Sequence, residues 1–138
     1  MANEELVQTV KKIHGLARSG NLEQAYVAYL ELFSGPSFLT YRPEDQRQAL
    51  RLMIHAKGVP ANPTKSMIEA HRAALAPLTE LVSTQQEPAD YEMLGMCHAL
   101  IGNENAAGVI FREGLTIERE RNAGSDLCGA FMKRISLL

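Results

Sequence analysis

The chain has 138 residues, enough for one domain, and its 46% hydrophobic residues can fill a core. It carries 14 Lys+Arg against 16 Asp+Glu, a net charge of −2, so the overall charge gives no reason to expect nucleic acid or an anionic membrane as partner. No stretch approaches the roughly 18 apolar residues that span a bilayer, and MANEELVQTVKK lacks the apolar core of a signal peptide, which predicts a cytoplasmic protein without membrane insertion.

The first helix is expected over about residues 3 to 18, capped by Asn3, with Glu4 and Glu5 in its first turn and Leu6, Val10, Ile13 and Ala17 along one face. Ser19-Gly20-Asn21 turns the chain. The second helix, about 22 to 33, is apolar almost all round through Leu22, Ala25, Tyr26, Tyr29, Leu30 and Phe33, and is expected between neighbours. Gly35-Pro36 ends it and Pro43 primes the next. The connection between them is unusually apolar at Phe38, Leu39 and Tyr41. It either folds back over the core or forms a partner-binding loop.

The third helix, about 44 to 57, carries Ala49, Leu50, Leu52, Met53, Ile54 and Ala56 and stops at Gly58. A stiff link, residues 59 to 63, leads to Asn62-Pro63 as cap and first position of a fourth helix over about 64 to 83. Pro77 falls inside that helix, where it costs about 3 kcal/mol, so a kink near Ala73 or two shorter helices is expected. Pro88 begins the fifth helix, which runs to about Ile101, and the sixth covers about 104 to 121. Ser125 or Asp126 caps a seventh, with Leu127, Phe131, Ile135 and Leu138 along one side.

Residues 91 to 111 hold a spaced set: Tyr91, Leu94, Gly95, His98, Gly102, Ala107 and Phe111. Gly20, Ala25 and Tyr29 repeat the spacing of Gly102, Ala107 and Phe111, and both stretches begin Gly-Asn. This set resembles the tetratricopeptide repeat, an antiparallel helix pair of about 34 residues, with His98 in place of the usual aromatic. The resemblance implies that Gly95 and Ala107 lie where two helices cross, with Tyr91, Leu94 and Phe111 around them. It covers residues 3 to 36 and 88 to 121 well. It covers 44 to 83 loosely, without a Leu-Gly pair and with a long link.

Little argues for chemistry. Phosphate loops, GxSxG and HExxH motifs are missing, and His14, His55, His71 and His98 have no metal-ligand spacing. Cys97 and Cys128 sit among apolar residues and read as buried thiols rather than a disulfide or zinc site. Glu118, Arg119, Glu120 and Arg121 read as a solvated helix end. His98 reads as a packed, hydrogen-bonded residue. No catalytic residue, metal or cofactor is expected, and the chain is not read as an enzyme.

The fold expected is all-α, with antiparallel helix pairs stacked as a short right-handed superhelix. Residues 1–138 form one helical-repeat domain, with three tetratricopeptide-like repeats, at about 3–36, 44–83 and 88–121, and a capping helix at about 125–138. In such repeats the first helix of each pair lines a concave groove. That places Val10, His14, Ala17 and Arg18 of the first helix, Gln48, Leu52 and His55 of the third, and Glu92, Met96, Ala99 and Leu100 of the fifth at the partner. Some members of the family grip a C-terminal carboxylate with paired Lys and Asn; Val10 and His14 stand in those places, so that clamp is not expected. The function implied is an adaptor or scaffold that binds a peptide or partner helix. The rival reading is a dedicated chaperone for a secreted or assembled client. Self-association through an exposed edge of the stack is left open.

Overall fold

The computed structural model describes residues 3–58 and 60–138; Val59, in the link after the third helix, lies outside them. The described residues form seven α-helices, one 3-10 turn and no strand. The helices are α1 (Glu4–Arg18), α2 (Leu22–Ser34), α3 (Pro43–Ile54), α4 (Lys65–Gln85), α5 (Pro88–Leu100), α6 (Glu104–Asn122) and α7 (Asp126–Ser136). Sequential helices pack in pairs, α1 on α2, α5 on α6 and α6 on α7. By contiguity the chain divides into two compact units, Met1–Pro77 and Leu78–Leu138.

Helix ends follow local chemistry. Asn3 caps α1, its side-chain oxygen accepting from the Leu6 amide at 3.1 Å. Pro43 and Pro88 each stand in the first turn of a helix, where a missing amide hydrogen is harmless. One expectation fails, and of the kink or the split expected at Pro77 the split does not occur. The cap of α4 is Thr64, whose hydroxyl accepts from the Met67 amide at 3.3 Å, while Asn62 lies outside the helix. Through Pro77, α4 runs unbroken from Lys65 to Gln85. The lost backbone bond costs about 3 kcal/mol. Leu78 at 0% and Leu81 at 2% exposure each contribute about 1.5–3 kcal/mol of burial, which outweighs it.

In the first unit an aromatic row runs off α2. Tyr29 stacks on Phe33 at 5.5 Å, Phe33 meets Phe38 edge-on at 5.1 Å, and Phe38 meets Tyr41 at 6.0 Å. The apolar connection therefore folds over the core. Phe38 is buried, Tyr41 half-buried, and Leu39 exposed. Gln46 fastens this segment by donating to the carbonyls of Tyr41 at 2.9 Å and Leu39 at 3.4 Å. Among the described residues α3 and α4 do not pair as closely as α1 and α2. Instead α4 meets α2, the His71 ring lying 6.1 Å from that of Tyr26.

His71 is buried, and its Nδ1 donates to the Met67 carbonyl at 2.8 Å. Burial holds its pKa below the ordinary 6.5, and the hydrogen bond offsets this only in part. With the folded value below the unfolded one, the unfolded chain takes up the proton first as pH falls. The neutral ring's contribution is complete above pH 6.5 and is lost as pH drops below it. Thermal melts at pH values between about 8 and 5 should show a fall in Tm below pH 6.5 that is shallower in His71→Gln.

In the second unit, glycine sets how closely the helices approach. A Cβ at Gly95 would lie 2.3 Å from the Phe111 ring, and one at Gly114 would lie 2.6 Å from Phe131 and 2.7 Å from the Tyr91 Cβ. Around these two contacts Tyr91, Ala107, Phe111, Leu115, Cys128 and Phe131 form one buried cluster. Ser125 docks α7, accepting from the Cys128 amide at 3.2 Å and donating to the Glu118 carboxylate at 2.8 Å.

The two Gly-Asn turns share one backbone geometry. Gly20 has φ 89° and Gly102 φ 96°, values that glycine adopts without strain. Asn21 donates to the Leu16 carbonyl at 2.9 Å and Asn103 to that of His98 at 2.8 Å, each across five residues. Gly20 donates to Ala17, and Gly102 to Ala99, both at 3.2 Å. Ala25 and Ala107 follow at 1% and 0% exposure, so the same small residue sits at the same crossing in both pairs. One position differs. Ile13 stands where Gly95 stands, and α1 and α2 accordingly pack less closely than α5 and α6.

Candidate functional site

Helices α1 and α3 face one another across two cavities, early residues of one with early residues of the other and late with late. Leu6, Val7 and Val10 share a cavity of about 190 Å³ with Asp45, Gln48, Ala49 and Leu52. Later in both helices, His14, Ala17 and Arg18 share a cavity of about 450 Å³ with Arg51, Leu52, Met53 and His55. Leu52 lines both cavities and is 43% exposed, so the two form one groove along the helix pair. The seven residues expected here from the first and third helices, Val10, His14, Ala17, Arg18, Gln48, Leu52 and His55, all line it.

The two ends of the groove differ. The first cavity is largely apolar; its charged residues are Lys11 and Asp45, and the Asp45 carboxylate is already held by the Arg42 guanidinium at 3.1 Å and 3.3 Å, which keeps it below the usual carboxylate range. The second is basic. Arg18, Arg51 and Lys57 line it with His14 and His55, and no Asp or Glu does. None of those three cations makes an ion pair among the described residues. Leu22, Ala25, Tyr26 and Tyr29 of α2 complete the wall. Burial pushes the Tyr29 hydroxyl up to about 12 and raises that of Tyr26, with nearby Glu23 adding to the latter. Both are therefore neutral hydrogen-bond donors at physiological pH.

Sequence reading missed Arg51, Lys57, Tyr26 and Tyr29. Helical spacing contained a signal for one of them: Arg51 follows Gln48 by three residues and precedes His55 by four, on one face. Lys57 lies beyond the end of α3, where periodicity says nothing. The tyrosines have the spacing of core residues, which they also are.

The four residues expected from the fifth helix belong to the second unit. Glu92 is buried and accepts from Arg134 Nε of α7 at 2.9 Å. Met96 and Ala99 line a cavity of about 230 Å³ with Phe111, Arg134, Leu137 and Leu138. Leu100 is half-buried. The face of α5 that carries Glu92 and Met96 is thus the face against which the end of α7 lies.

The two cysteines and His98 sit in apolar surroundings. Burial pushes the Cys97 thiol up to about 12, which keeps it protonated and unreactive at neutral pH. His98 is half-buried, with Nδ1 at 3.5 Å from the Asn103 amide, and burial lowers its pKa. Among the described residues no His, Cys, Asp and Glu group could hold a metal ion, and no helix is long and apolar enough to cross a membrane. Compared with family models, curated proteins and solved structures, the chain matches none.

Proposed function

We propose that the chain is a tetratricopeptide-like repeat module that serves as an adaptor or scaffold, holding a peptide segment or partner helix in the groove between α1 and α3. The carrying observation is that this groove runs along both helices and stays open, with Leu52 at its centre half in solvent. The shared geometry of the two Gly-Asn turns supports the repeat reading, because each turn reverses a helix pair around the same buried alanine. Binding at such a groove is equilibrium recognition: apolar area leaves water at one end while polar groups fix orientation at the other.

Leu52→Glu tests this. The residue is exposed enough for the fold to accept a carboxylate, so helical circular dichroism and melting should match wild type. Affinity capture from the native lysate should then return a partner on wild type that the variant loses. The same partner on both would move the binding face away from α1 and α3.

A further inference from the structure

The groove's charge names its partner more closely. This step rests on the binding-module reading above. We infer that the groove takes an extended acidic segment of another protein, with an apolar side chain seated beside Val10 and Leu52 and side-chain carboxylates at Arg18, Arg51 and Lys57.

Charge complementarity carries the argument. Three fixed cations line one cavity without a carboxylate among its walls and without an ion pair among the described residues. Part of that charge answers the helix ends themselves, since Arg18 and Arg51 stand in the last turns of α1 and α3. Each helix C-terminus amounts to about half a negative charge, so two ends offset about one of the three cations. A net positive cavity remains on a chain whose net charge is −2. That contrast also argues against a long polyanion, which would meet repulsion beyond the groove.

A second observation points the same way. The Tyr26 hydroxyl is buried without a hydrogen-bond partner, and Tyr26 lines this cavity at 2% exposure. A buried donor left unpaired is unfavourable, and a carboxylate or carbonyl entering beside it would accept that hydrogen. The adjoining apolar cavity, continuous through Leu52, explains why the ligand is amphipathic rather than a bare anion.

The test is selection of linear peptides from a random display library on the full chain, counter-selected on Arg18→Gln/Lys57→Gln. Both substitutions are at exposed positions, so the variant should keep its fold, which circular dichroism checks. The expected peptides are rich in Asp and Glu beside Leu, Ile or Phe. Synthesised singly, they should bind the double variant about tenfold more weakly, since exposed charge contacts are each worth up to about fivefold. Their Asn/Gln counterparts should lose a similar factor on wild type. Two-dimensional NMR should place the shifts on α1 and α3. Tyr26→Phe should fold as wild type and bind about threefold more weakly, as one neutral hydrogen bond predicts.

Neutral or basic peptides that shift the same residues would overturn the acidic class and leave the groove reading standing. Enriched peptides that shift residues outside α1 and α3 would overturn both. A short single-stranded oligonucleotide or inorganic phosphate that displaces the peptides at lower concentration would overturn the peptide commitment.

Discussion

Phe131→Ala is expected to lower the unfolding free energy by about 3–5 kcal/mol, the range for removing a fully buried phenylalanine ring. Phe131 is 0% exposed, meets the Phe111 ring at 6.3 Å, and would touch any side chain placed at Gly114. The space it leaves is walled by rigid groups, the α6 backbone at Gly114 among them, so collapse cannot refill it cheaply. Urea denaturation followed by circular dichroism measures the loss. Met132→Ala is the control. Met132 is the next residue along α7 and 48% exposed, so its truncation should change stability by less than about 0.5 kcal/mol. Equal effects from the two substitutions would mean that α7 does not dock through Phe131.

Much of this architecture is written locally. Gly20-Asn21 and Gly102-Asn103 announce their turns because a residue at φ near +90° selects glycine, whatever the rest of the chain does. Ala25 and Ala107 follow at fixed spacing, and the helix ends at Asn3, Pro43 and Pro88 need no tertiary information. The α1 and α3 groove residues were also legible, since side chains off a packing stripe share one helix face.

What escaped sequence reading depends on distant partners. Glu92 looks like a groove anchor on its own helix, but Arg134, 42 residues later, reaches it. Pro77 looks like a breaker until the burial of Leu78 and Leu81 is counted. The cationic character of the second cavity depends on bringing Arg18 of α1 beside Arg51 of α3 and on Lys57 in the link beyond it. The overall charge of −2 hides that local excess completely.

Gly95→Ala should destabilise the chain, although alanine is the better helix former by about 1 kcal/mol. The added Cβ would sit 2.3, 2.5 and 2.8 Å from three carbons along one edge of the Phe111 ring, all inside ordinary contact and the nearest by more than an ångström. That ring is 1% exposed and backed by Phe131, so it has nowhere to turn. The alternative, moving α5 away from α6, breaks the most closely packed helix pair among the described residues. Overpacking of this kind costs about 1–3 kcal/mol and occasionally more. The depth of the overlap places Gly95→Ala at the upper end, for a net loss of about 2 kcal/mol after the propensity gain. Gly15→Ala offers the same chemistry without the neighbour. Gly15 also lies inside a helix, and its Cβ would meet nothing within 4 Å, so that substitution should stabilise by about 1 kcal/mol. Phe111→Leu removes the ring edge, so Gly95→Ala should cost less in a Phe111→Leu background than in wild type. Stability of the four chains by urea denaturation gives the coupling. Additive effects would mean that the α5/α6 crossing is not set by this contact, and that the Leu-Gly pair at Leu94 and Gly95 has some other cause.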